Sequence, residues 1–358
     1  MLDKIVAALN RQDHRAAADL LREQLKQTPD DPWVKLYLGR LQEISGKPKA
    51  AEGIYRQLLR DSRNAKLIDQ ARQGLHRLET HAKQQREQAI AQATSTDQAP
   101  GFLILEAIAN DQRLDLSKRF AQVMQTDPYT ARSILPSKGW RLYRAGPIGE
   151  LSFHGTELKK VDIPAFWATL SDLKQISVFH VNHFQTIRPK VTVLCRNPNK
   201  QQGIVQFNWT EVSQRVTGYL PLFSQVIDLG YRDRLEWKEH IEDYTHICDL
   251  HLPQRRCILR IHDNSYDFHQ GMTAISQHDT IRLRWNELMA NLTAHLPHAP
   301  TWADFTTFAE TTTDFQTPMS RLPAHMPIPR ASDYYYDAAF HLYSSLALLR
   351  SHRAGLPQ

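Results

Sequence analysis

The sequence predicts a multi-domain protein of the α and α+β classes, helical over its first quarter and mixed beyond it. Three observations carry this expectation. Apolar residues recur at helical spacing through residues 1–93, with small residues at fixed places among them. A polar stretch of small residues ending in proline, Thr94–Pro100 (TSTDQAP), then breaks the pattern. Beyond it, short apolar runs bounded by turn residues alternate with further helical patterns. The implied domains are a helical one over 1–93, a linker over 94–100, an α/β module over 101–170, and a β-rich mixed domain with C-terminal helices over 171–358.

The helices of the first domain come in pairs. A shift of 34 residues aligns Ala17 with Ala51, Leu21 with Tyr55 and Ile5 with Gly39, and it lays the turn Gln12-Asp13 on Gly46-Lys47. Gly39 and Ala51 suit places where two helices cross closely. Gly46 suits the left-handed residue that ends a helix. Asp30-Asp31-Pro32 places acids and a proline at a helix start, where free amides and the dipole favour them. Tyr55 and Leu38 have the bulk to fill the space between one pair and the next. Residues 64–93 add a third helical segment with an apolar stripe of Leu67, Ala71, Leu75 and Leu78, turning polar afterwards as a terminal capping helix does; the alternative is the first helix of a third repeat, with Ala71 or Gly74 in the small-residue position.

A period of 34 with two helices per unit, with Leu38-Gly39, Gly46, Ala51 and Tyr55 at their places, resembles the tetratricopeptide repeat (TPR) family over about residues 1–64. The first unit departs from the pattern at Ile5. The resemblance implies TPR-like helical hairpins with a concave groove that binds a peptide or a partner's helix. Carried over by position, Trp33, Leu36 and Arg40 face that groove, joined by Asn10 from the first unit. The Lys/Asn clamp for terminal carboxylates that some TPR domains use is not matched, since Val6 and Leu36 stand there. The Gln-rich helix and the tail SDYYYDAAFHLY also loosely resemble uncharacterised TPR-containing proteins of cyanobacteria.

Past the linker, Phe102–Ile108 (FLILEAI) reads as a buried strand. Leu116, Phe120, Val123 and Met124 mark a helix, and Asp127-Pro128 opens another. Trp140–Ala145 is a strand, a helix follows through Leu158, and Pro164–Leu170 is a strand. This order suggests a ferredoxin-like α/β module. Further on, Ile176–Phe184, Val191–Cys195 and Ile204–Trp209 are strand-like. Tyr244–Leu252 and Cys257–His262 form a hairpin around Pro253–Arg256. Glu236, Glu239, Glu242 and Asp243, with Lys238 and His240, read as a solvated helical face. Thr280–Leu296 and Asp337–Ser351 are helices, the latter with an apolar stripe of Phe340, Tyr343, Leu346 and Leu349 that packs on the body.

Composition narrows the functional classes. The 41% hydrophobic and 23% charged residues are ordinary for a globular chain. No window of about 18 apolar residues suggests a membrane span, and the N-terminus lacks the basic segment, apolar core and cleavage site of a secretory signal. Three cysteines, an odd count without a CxxC, suit reduced thiols in the cytoplasm. The net charge of +6 is uneven: the first hundred residues hold 17 Lys and Arg against 13 Asp and Glu.

No catalytic residue, cofactor or metal site is expected. His246, Cys248 and His251 are ligand types at short spacing, but Cys248 and His251 fall on opposite faces of a strand, and half-exposed histidines are the plainer reading. Asp263–Asp267 lacks the glycine and glutamate of a calcium loop. Arg256 and Arg260 form an RxxxR pattern without a second motif. Walker A, GxGxxG and GxSxG are missing, and Cys195 and Cys257 suit inert core thiols. The expected function is a protein-binding adaptor or assembly factor. The alternatives are a nucleic-acid binder using Arg141, Tyr143 and Arg144 on a strand surface, and an enzyme with an unrecognised site in 101–358.

Overall fold

The computed structural model describes residues 2–229, 235–271, 280–328 and 334–354. Ser332 and Asp333, the first residues of the tail stretch noted above, lie outside the described residues. The chain divides into two compact units, residues 1–92 and 93–358. The α and α+β organisation read from the sequence is present.

The first unit is built from helices α1 (Leu2–Asn10), α2 (His14–Gln27), α3 (Pro32–Ile44), α4 (Pro48–Asp61) and the start of α5 (Ala65–Thr96). The helix starts follow local chemistry. The Asp13 carboxylate accepts from the Ala16 amide, the Asp31 carboxylate accepts from the Trp33 amide, and Pro32 and Pro48 occupy first-turn positions. Gly46 has φ +71°, as a helix-ending residue needs, and Gln12, 34 residues earlier, takes φ +59° at the corresponding turn. Ala17, Leu21, Ala51 and Tyr55 are buried, while Leu38 is half-buried. The Tyr55 ring is pinched between two glycines on different helices. A Cβ at Gly39 would lie 2.7 Å from the ring, and one at Gly74 2.6 Å.

Helix α5 runs through the first three residues of the expected linker, Thr94–Thr96, leaving Asp97–Ala99 irregular before β1 (Pro100–Glu106). Next come α6 (Arg113–Met124), α7 (Pro128–Ile134), β2 (Trp140–Pro147), α8 (Ile148–Lys159), β3 (Ala165–Thr169) and α9 (Leu170–Lys174). The elements arrive in the expected order, yet the pairing is not ferredoxin-like. Both β2 and β3 run antiparallel to a central β1, in the order β2-β1-β3. A ferredoxin-like module needs a parallel crossover, and the two helices α6 and α7 instead return the chain reversed.

A boundary at residue 170 does not appear either. Leu103 and Leu105 of β1 pack under α6 and α8, while Phe102 and Ile104 join a core with Phe305, Phe308, Phe340 and Tyr343 from later in the chain. A strand apolar on both faces needs a layer on each side, and the second layer comes from the rest of the chain.

The second sheet uses β4 (Ser177–Thr186), β5 (Val191–Arg196), β6 (Gln202–Phe207), β7 (Gln214–Leu229), β8 (Leu235–Leu252) and β9 (Cys257–His262). After α10 (Ile281–His295), β10 (Thr301–Trp302) completes it, in the order β10-β7-β8-β9-β4-β5-β6. The charged stretch Glu236–Asp243 is part of β8, paired along β7, and not a helical face. Charged residues suit a long ribbon as well as a solvated helix, and no short-range signal separates the two. One face of the sheet, with Val193, Cys248, Leu250 and Ile261, packs on Trp285, Leu288 and Leu292 of α10. The other face packs on α11 (Phe305–Glu310), α12 (Gln316–Met319) and α13 (Tyr335–Ala354). Phe340, Tyr343 and Leu346 of α13 are fully buried, as the apolar stripe requires.

Candidate functional site

Helices α1, α3 and α5 of the first unit line a cavity of about 270 Å³. Val6 comes from α1, Leu36, Tyr37 and Arg40 from α3, and Gln70, Gln73 and Arg77 from α5, with Tyr55 reaching in from α4. The wall is largely polar. Leu36 + 34 falls on Gln70, and Val6 + 34 falls on Arg40, so the cavity draws on corresponding positions along the 34-residue period.

The floor is held by a small network. Arg77 donates to both oxygens of Glu43, at 2.8 and 2.9 Å, and the Tyr55 hydroxyl donates to Glu43 Oε2 at 2.7 Å. Burial alone would raise the Glu43 carboxyl. The hydrogen bonds from Arg77 and Tyr55, aided by the charges of Arg77 and Arg40, outweigh it and hold the group below its ordinary range. Burial first, and then Glu43, push the Tyr55 hydroxyl upward. Arg77 is therefore committed to Glu43. Arg40 is exposed and has no ion pair among the described residues.

Of the four residues placed in the groove by position, Leu36 and Arg40 meet in this cavity. Trp33 is half-buried, stacks on Tyr37 with ring centroids 6.4 Å apart, and packs with Tyr55 and Leu58. Asn10 is exposed at the end of α1 and does not line the cavity. The sequence reading missed Gln70, Gln73 and Arg77. Extending the 34-residue shift by one more period from Leu36 and Glu43 reaches Gln70 and Arg77.

In the second unit the histidines depart from the half-exposed reading. His251 is fully buried, and His183, His246, His262 and His341 are buried as well. His251 belongs to a polar core the sequence did not announce. The indole Nε1 of Trp302 donates to Gln214 Oε1 at 2.9 Å, and the Gln214 amide lies 2.9 Å from His251 Nδ1. Only the amide can donate there, so His251 carries its proton on Nε2 and offers it to Ser344 Oγ at 2.9 Å. Ser344 passes its own proton toward Asp249 at 2.5 Å. Asp249 in turn accepts two hydrogen bonds from Arg260, at 2.9 and 2.7 Å.

Arg260 is the second residue of the RxxxR pattern, and neither it nor Asp249 is exposed at all. Its remaining nitrogen donates to the carbonyls of Ala324 and His325. Ser, His and Asp thus stand together, but the serine is wholly buried and hydrogen-bonded to the acid, an arrangement that braces a core and cannot meet a substrate. Burial pushes the His251 imidazole down to about 4, keeping it neutral.

The other candidates are engaged within the fold. The Tyr143 ring packs edge-on against Phe120, Arg144 bonds Glu150 at 3.0 Å, and Arg141 reaches the Ser133 carbonyl. Asp263 is buried and accepts from the Thr245 hydroxyl at 2.6 Å. The three cysteines are buried, and burial pushes the Cys195 and Cys248 thiols up to about 12 and that of Cys257 up to about 11. Among the described residues, no three His, Cys, Asp or Glu converge as metal ligands, and no helix is long and apolar enough to cross a membrane. Comparison of the chain with protein-family models, curated proteins and solved structures returns no match.

Proposed function

We propose that residues 1–92 act as a TPR-type helical array that seats a segment of a partner protein, and that the protein is a non-enzymatic adaptor or assembly factor of the cytoplasm. The observation that carries this reading is the cavity on α1, α3 and α5 with Arg40 on its wall, exposed and without an ion pair among the described residues. The exposed Arg40 guanidinium beside Gln70 and the Tyr37 hydroxyl offers hydrogen-bond donors to a bound chain, while Leu36 and Val6 offer apolar contact. The Glu43–Arg77–Tyr55 network fixes the walls before any partner arrives, which lowers the entropic cost of binding.

A peptide library displayed on phage and panned on the full chain tests the reading. Enriched peptides should bind the parent chain and lose about tenfold or more of their affinity to Arg40→Ala variants, the cost of removing a charged hydrogen-bond donor from a binding site. Peptides that bind parent and variants alike would place recognition elsewhere and refute the groove.

A further inference from the structure

On the α13 side of the seven-stranded sheet, register aligns four polar residues in one row. Arg196 of β5 pairs with His180 of β4, His180 with Arg260 of β9, and Arg260 with Asp249 of β8. Residues aligned across neighbouring strands share a face. The inner end of the row is satisfied by the Arg260–Asp249 pair. The outer end is not. Arg196 is exposed at the end of its strand and has no ion pair among the described residues. His180 Nδ1 and His262 Nε2 are buried without a hydrogen-bond partner, their rings 5.6 Å apart. An orphaned polar nitrogen is costly, and His180 lines the cleft at this end of the row.

The cleft over this end of the row encloses about 450 Å³, within the roughly 300–1,000 Å³ typical of small-molecule sites. Its polar wall is His180, Asn182, Arg196, Lys200, Ser265 and His325, and no carboxylate lines it among the described residues. Met326, Pro327 and Pro198 supply an apolar side. The lip is built in place. His325 holds a left-handed backbone, φ +50°, and Arg260 grips its carbonyl and that of Ala324. Two cations without a facing acid, amide and hydroxyl donors beside them, and an apolar wall define one kind of ligand.

We propose that this cleft binds a small organic molecule carrying a doubly negative oxyanion, a phosphate monoester or a dicarboxylate, on an apolar body. Arg196 supplies a planar fork suited to two oxygens. Lys200 balances the second charge, and the Asn182 amide and Ser265 hydroxyl can donate to the remaining oxygens. The apolar body lies against Met326 and Pro327. This site is independent of the helical groove and does not rest on that reading.

Isothermal titration of the full chain with phenyl phosphate, phthalate and benzyl alcohol tests it. At least one dianion should bind with one site per chain, and the neutral alcohol should not. Which dianion binds separates phosphate from dicarboxylate. The double variant Arg196→Gln/Lys200→Gln alters only exposed side chains, so its unliganded melting temperature should match the parent. It should lose about tenfold or more in affinity, as removal of charge-assisted bonds does. Failure of both dianions to bind at millimolar concentration overturns the proposal, as does binding that the double variant leaves unchanged.

Discussion

Substituting Gly74 by alanine should destabilise the helical unit, against the ordinary trend for glycine inside a helix. Alanine in a helix interior is favoured over glycine by about 0.5–1 kcal/mol. Here the added methyl would sit 2.6, 2.6 and 2.9 Å from three atoms of the Tyr55 ring. The ring cannot retreat, because Gly39 meets its other side closely and its hydroxyl is bonded to Glu43. Overpacking of this kind costs about 1–3 kcal/mol, so the net loss should be about 1–2 kcal/mol. Gly53, exposed within α4 with open space where a methyl would stand, is the internal control. Gly53→Ala should raise stability by about 0.5–1 kcal/mol.

Hydrogen exchange followed by mass spectrometry on peptides from α3, α4 and α5 reads the local free energy without interference from residues 93–358. A second background sharpens the result. Leu21 occupies in the first hairpin the place Tyr55 holds in the second, so Tyr55→Leu makes room for a methyl. In that background Gly74→Ala should change sign and stabilise. If Gly74→Ala protects these helices as well as Gly53→Ala does, the pinched-ring account is wrong.

Three further outcomes are expected. Asp249→Ala strands a fully buried guanidinium and should cost about 3–5 kcal/mol in urea unfolding, whereas Asp249→Leu with Arg260→Met should recover most of that loss. His180 and His251 are held neutral in the fold, burial lowering both to about 4. The unfolded chain therefore binds more protons below pH about 6.5, and stability should fall as pH drops from there toward 4, with a shallower slope in His251→Gln, as urea melts across that window would record. The three thiols should resist a thiol-specific reagent in the native protein and react together once it unfolds, as a spectroscopic labelling time course would show.

What could be read before the structure followed the range of the forces involved. Helix starts at Asp31 and Asp127 are local hydrogen bonds within three residues, and both were legible. The hairpin around Pro253–Arg255 was legible for the same reason. Strand direction is not local. Nothing in FLILE or WRLYRA tells parallel from antiparallel, so the module's topology was misassigned. The ribbon of β7 and β8 escaped because its charges at 236–243 satisfy helical and extended patterns alike. Leu36 and Arg40 were placed in the groove by a repeat, which is a long-range signal written twice. The Asp249–Arg260–Ser344 cluster has no such copy, since its members stand 11 and 95 residues apart and carry no shared pattern.

The late position of Ser344 has a consequence for how the body is made. During synthesis the helical unit has its own core within the first 92 residues and can close early. The body cannot. Until α13 emerges from the ribosome, Asp249 lacks its serine donor, and Trp140, Phe305 and Phe308 lack the aromatic side chains of Phe340 and Tyr343 that cover them. The core that packs on α13 must therefore wait, exposed, for the last helix. A chain stopped before α13 should be a ready client for chaperones and proteases, with an intact helical unit attached to a body whose α13-facing core never closes.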